Sequence, residues 1–139
     1  IPDTDGFYQY ENSKSKFPAY HIRLSASDMA RFGQLFLNEG RWNGEQIIPK
    51  EWIDESTQAY SVTNERYGVG YGMLWYVLME NEQREHRSFY HTGNRVHFLA
   101  IYPASQMVVV HRVDTEKSYT FNQGDFYRMI DLLWASKMD

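Results

Sequence analysis

Apolar residues along this chain recur with two different periods. From residue 29 the spacing is helical: Met29, Phe32, Gly33 and Phe36 fall at i, i+3, i+4 and i+7. Ser25 stands just before, with Asp28 three residues on, which resembles a capping box with Asp in place of Glu. Gly40 ends the run, and a turn follows at Asn43-Gly44. Pro49 then suits the first position of a short helix carrying Trp52 and Ile53. Farther along the period shortens. Tyr67-Gly68-Val69-Gly70-Tyr71-Gly72 alternates bulky residues with glycine and runs into Met73–Met79, which predicts one strand with close backbone approach or a bulge. Three more strands are predicted near 87–92, 96–103 and 106–113, with Ala104-Ser105 as a tight turn between the last two. Val96–Tyr102 and Met107–Val113 are expected to pair antiparallel. Asn122 and Asp125 can cap a final helix whose Phe126, Met129, Ile130, Leu133 and Trp134 form one apolar face.

The remaining stretches lack a period. Residues 1–24 read as a loop-rich lead-in, with Pro2, Gly6, Pro18 and a polar run from Glu11 to Lys16, anchored by Phe7, Tyr8, Tyr10 and Phe17. Residues 58–66 are polar and read as loop, and Glu80–Glu85 as a charged turn. The expected fold class is α+β: an antiparallel sheet with a packed carboxyl-terminal helix and preceding helices. Within a single domain, 1–139, the expected segments are the lead-in 1–24, a helical segment 25–57, and the sheet with its last helix, 66–139.

Composition narrows the function classes. With 139 residues, 42% hydrophobic and 23% charged, the chain is long enough to build a core. The net charge of −4 comes without any basic run, which argues against nucleic acid as a partner. No apolar stretch approaches the ~18 residues of a membrane span. Cysteine is absent, which excludes disulfides and thiol chemistry and leaves the compartment open. Aromatics reach 17%, enough for broad aromatic packing and for a groove that accepts an extended or cyclic substrate. The chain opens on Ile1-Pro2-Asp3, so a fragment or processed piece is expected, with targeting information upstream.

The most informative chemistry is Tyr90-His91-Thr92-Gly93-Asn94, a polar-Thr-Gly box leading into hydrophobic strands. It resembles the third signature of the serine β-lactamase and D,D-peptidase superfamily, written K-T-G with H-T-G as a variant. Other segments extend the likeness in the same order. They are Leu24–Gly33, Gly40-Arg41-Trp42-Asn43-Gly44, Ile48-Pro49-Lys50-Glu51-Trp52, Tyr67–Gly72, and Tyr102-Pro103 leading into Val108-Val109-Val110. Together they resemble the carboxyl-terminal part of a class C β-lactamase-related hydrolase, with the β-lactamase/transpeptidase-like fold.

That resemblance implies a serine hydrolase that cleaves a small amide, ester or peptide-like substrate through an acyl-enzyme, without a cofactor. His91 would support the proton network, and the Thr92 hydroxyl would bind substrate. Gly93 would let substrate lie close to the strand, and the backbone N–H of Asn94 would serve as oxyanion donor. The link Asn94-Arg95-Val96-His97 is short, as in some esterase-like and amide-hydrolase relatives. The family also implies a periplasmic or extracellular bacterial setting.

Ser13-Lys14-Ser15-Lys16 matches S-x-x-K and Tyr10-Glu11-Asn12 matches Y-x-N, the family's nucleophile and base boxes. Here they abut in reversed order in a polar segment followed by Phe17-Pro18, and a proline there does not continue a helix. The nucleophile, its lysine and the tyrosine base are therefore expected outside this chain, and the chain is expected to associate with a missing amino-terminal half or with itself. The alternative is a non-catalytic binding module that keeps the fold and groove. Two other chemistries find no support. His86, His91, His97 and His111 carry no metal-ligand spacing, and Gly68-x-Gly70-x-Gly72 lacks the Lys-Ser/Thr of a phosphate loop.

Overall fold

The computed structural model describes residues 6–10, 13–17, 19–82, 84–93, 97–114 and 117–137. Two short hairpins precede and interrupt the first helices. Strand β1, Gly6–Gln9, pairs antiparallel with β2, Ala19–Ile22. Helix α1, Ala26–Leu37, follows, then the hairpin of β3, Arg41–Trp42, and β4, Glu45–Gln46, then helix α2, Lys50–Ser56. The centre is a six-stranded antiparallel meander: β5 (Ser61–Asn64), β6 (Val69–Tyr71), β7 (Tyr76–Leu78), β8 (Ser88–Gly93), β9 (His97–Tyr102) and β10 (Met107–His111), each beside its neighbour in sequence. Helix α3, Gln123–Lys137, closes the chain.

Both long helices start where their caps dictate. The Asp28 N–H donates to Ser25 Oγ at 3.1 Å and the Ser25 N–H donates back to the Asp28 carboxylate at 3.4 Å, a complete capping box for α1. At α3 the Asn122 side-chain oxygen accepts from Gly124 N–H at 2.8 Å, and the Asp125 carboxylate accepts the Asn122 N–H at 2.9 Å.

The expected antiparallel hairpin of β9 and β10 forms, with Met107 opposite Tyr102 and His111 opposite Phe98. Its connection is a 3-10 turn, Pro103–Ser105, closed by Gln106 in the left-handed region at φ 51°. β9 is buried on both faces, with Phe98, Leu99, Ala100 and Ile101 all at most 4% exposed. Because side chains alternate, Leu99 and Ile101 turn to the core built with Phe36 and Leu37 of α1, Ile53 of α2, Trp75, Val77 and Phe89. Phe98 turns to the opposite face, where the Phe126 ring of α3 stacks on it with centroids 3.4 Å apart. Trp134 meets Tyr102 edge-on at 5.1 Å on that same face.

Three stretches differ from their sequence reading. The single strand expected over 67–79 is two strands, β6 and β7, folded back on each other. Gly72 N–H donates to Trp75 O at 2.8 Å, and Leu74 takes φ 68°. Alternating glycines supply no side chains to commit the whole run to one face, so the chain turns where that bond closes. The polar stretch 58–66 holds β5, an edge strand exposed along its whole length. A strand with no buried face has no alternation to read. The lead-in 1–24 carries the β1–β2 hairpin.

The sandwich of α3 on β9 sets a stability expectation. Phe126→Ala removes a ring that is 4% exposed and should cost about 3–5 kcal/mol. Leu132 of the same helix is 64% exposed, and Leu132→Ala should stay within about 0.5 kcal/mol. Urea melts of the two variants check this. Equal midpoints would mean that α3 does not bury its Phe126 face on the sheet.

Candidate functional site

The predicted site residues end one strand. β8 pairs with β9 from Phe89 through Gly93, but with β7 only from Ser88 to Tyr90. β7 begins at Tyr76, and just before it the chain has already turned away through the Gly72–Trp75 bond. His91, Thr92 and Gly93 therefore keep β9 on one side and have no strand partner on the other among the described residues. An unpaired strand edge offers main-chain donors and acceptors to an extended ligand.

Strand alternation divides the two polar side chains between the faces. His91 lies opposite Leu99, on the α1 face, and Thr92 lies opposite Phe98, on the α3 face. The imidazole of His91 is exposed and backed by Trp75, whose ring stands edge-on to it at 6.4 Å. Trp75 is fixed in turn by Phe36 at 5.0 Å and Phe89 at 5.2 Å. The aromatic core thus supports one wall behind His91. Thr92 and Gly93 are half-buried, and Asn94, the expected oxyanion donor, lies outside the described residues.

Gly93 differs from the other glycines near the sheet. A Cβ on Gly70 would overlap Ala59, and one on Gly72 would overlap the Gln58 carbonyl, so packing within the chain demands those glycines. A Cβ on Gly93 would meet nothing nearer than His97 Cβ at 3.7 Å, an ordinary contact. No described neighbour requires a glycine there.

That neighbour, His97, enters the sequence pattern only as one of four strand histidines without metal-ligand spacing. It sits directly across from Gly93 in the register, on the same face as His91. Its Nδ1 accepts the Val113 N–H at 3.4 Å. Burial, then the Arg112 guanidinium and His111, hold the imidazole below its ordinary pKa. The register itself was the available signal, since a four-residue step from Gly93 across a short link makes the two residues partners.

The remaining candidates separate. His111 stacks on Phe121 at 4.0 Å, across the sheet from His97. Among the described residues no three His, Cys, Asp or Glu side chains gather to hold a metal ion. Ser13 and Lys14 occupy an exposed turn between β1 and β2, and Ser15 Oγ there accepts the Phe17 N–H at 3.1 Å. Glu11 and Asn12 of the Y-x-N match lie outside the described residues.

A cavity of about 1150 Å³ opens on the α3 face, walled by Tyr76, Tyr90, Tyr102, Tyr127 and Trp134. Burial, reinforced by Tyr127, Tyr76 and Tyr102, pushes the Tyr90 phenol up to about 12. A phenol in that state keeps its proton and cannot serve as a general base near neutral pH.

Comparison with known proteins agrees with this architecture. A family model described as Beta-lactamase matches residues 2–133. No curated protein matches the sequence. Among solved structures, a Bacillus anthracis protein assigned as a 6-aminohexanoate-dimer hydrolase shares 25% identity with a TM-score of 0.58. The match covers 86% of this chain and 29% of that one. Among the described residues no helix is long and apolar enough to cross a membrane. With the family model spanning nearly all of its length and the antiparallel α+β architecture shared with a hydrolase of known structure, this chain belongs to the beta-lactamase family.

Proposed function

We propose that this chain supplies the H-T-G wall of a serine hydrolase that cleaves an amide or ester through an acyl-enzyme. The observation that carries the reading is the unpaired end of β8, where β7 stops at Tyr76 and leaves His91–Gly93 open on one side. An extended acyl chain laid along that edge has His91 beneath it on the α1 face and the Thr92 hydroxyl above it on the α3 face. His91 supports proton transfer at the attacking serine, and Thr92 holds a substrate oxygen. The Asn94 N–H completes the group as oxyanion donor. Gly93, which no described neighbour demands, leaves room for the substrate backbone.

The substrate class follows the structural relative, whose assigned substrate is a dimer of an ω-amino acid and so contains a linear amide. A linear amide needs an open strand edge rather than a closed pocket, which is what the end of β8 offers. The nucleophile and its bases come from residues other than Ser13-x-x-Lys16, which sits on an exposed turn and not at the start of a helix. The occupant of the exposed surfaces, a missing amino-terminal half or a second copy, belongs to the same proposal.

Three outcomes are expected. The 139-residue chain by itself should turn over neither nitrocefin nor p-nitrophenyl acetate. Turnover abolished by Ser13→Ala would move the nucleophile into this chain and overturn the assignment. In a protein that joins this chain to an S-x-x-K nucleophile, His91→Ala should lower kcat by about 10²–10⁴, the usual worth of a proton-transfer group. Thr92→Ala should raise KM by roughly 3- to 10-fold, the worth of one hydrogen bond. Specific ligand binding with no hydrolysis by that joined protein would favour the non-catalytic binding module.

A further inference from the structure

We propose that His97 forms a subsite for an acceptor oxygen beside the H-T-G wall, donating its Nε2–H to a carboxylate or carbonyl oxygen of a ligand lying over Gly93. The inference rests on the reading of β8 as a substrate edge and adds a residue to it that the H-T-G box does not contain.

The geometry is specific about the tautomer. Nδ1 accepts the Val113 N–H at 3.4 Å, so that nitrogen carries its lone pair inward. A neutral imidazole with an accepting Nδ1 has its proton on Nε2. Burial and the neighbouring Arg112 and His111 keep the ring neutral near pH 7, so this tautomer is the working state. The Cδ2 corner, bonded to Nε2, stands 3.9 Å from where a Cβ would sit on Gly93. The room left by the missing side chain at Gly93 is therefore bordered by the Cδ2 edge of the ring, with Nε2 one bond farther out, and Nε2 has no acceptor among the described residues.

The surrounding charge favours an oxygen. Arg112 is anchored beside the end of β10, with Nη1 on Leu24 O at 3.3 Å and on Met29 Sδ at 3.0 Å. His91 lies on the same face of the adjoining strand, and His111 is turned to the other face against Phe121. The Arg112 guanidinium brings a fixed positive charge to this corner, which favours an anionic or strongly dipolar acceptor.

Imidazole nitrogen NMR on the 139-residue chain tests the state of the ring, and a titration tests the subsite. Near pH 7.5 Nδ1 should be unprotonated and Nε2 protonated. The probes are 6-acetamidohexanoate, which carries an amide and a carboxylate, and its N-methylamide, which carries amides alone. The expected result is a saturable shift of the His97 ring and the Gly93 amide. His97→Phe should weaken binding roughly 3- to 10-fold, and His97→Gln, which keeps a neutral donor, should hold it near the original value. Binding of the acid alone assigns the oxygen to a carboxylate, and equal binding of both probes assigns it to an amide carbonyl. A protonated Nδ1, or unchanged binding in His97→Phe, overturns the proposal. Shifts at the His91 and Thr92 amides without one at His97 overturn it alone, whereas no shift at any of these residues counts against the substrate edge as well.

Discussion

The structure depends on the burial of one strand from both sides. β9 carries Leu99 and Ile101 into the core under α1 and Phe98 into the stack under α3. Neither helix can hold its place without the face that β9 presents to it, and β9 has no solvated side to tolerate a slip. A one-residue shift would exchange every side chain between the two layers. Since β8 is paired to β9 along Phe89–Gly93, the position of the candidate site is inherited from this constraint.

The aromatic core extends that support outward. Phe36, Trp75 and Phe89 touch one another at centroid distances of 5.0–6.3 Å, and the last edge of the cluster is Trp75 against His91. A polar side chain at the end of a strand would ordinarily sample several positions. Here a buried indole limits it from behind, so any preorganisation of the candidate site is a by-product of packing. On the other face burial pushes the phenols of Tyr90 and Tyr102 up, which makes these two cavity tyrosines walls rather than reagents.

The parts of the fold legible in the sequence were those where burial is one-sided or caps are present. Ser25 with Asp28 announced α1, Asn122 with Asp125 announced α3, and the apolar runs on either side of Pro103 announced the β9–β10 hairpin. β5 was not legible, because a strand exposed on both faces looks like a polar loop. The break between β6 and β7 was hidden as well, since it depends on a main-chain bond from Gly72 to Trp75 and on Leu74 tolerating φ 68°. Of the candidate site, the H-T-G box was visible as a motif. The division of His91 and Thr92 between two faces and the placement of His97 across from Gly93 are products of register, which a linear motif does not encode.

The glycines of this sheet answer to different masters. Gly70 and Gly72 are held by their own fold, since a methyl group on either would strike a neighbour. Gly93 is free of that obligation, because the described chain leaves ordinary room for a methyl group beside His97. Drift at the first two positions is opposed by folding whatever the protein does. At Gly93, only an occupant from outside the described chain can oppose it. Selection for folding alone would keep Gly70 and Gly72, while nothing among the described residues would hold Gly93. The residue that survives there thus answers to something other than the described packing of the sheet.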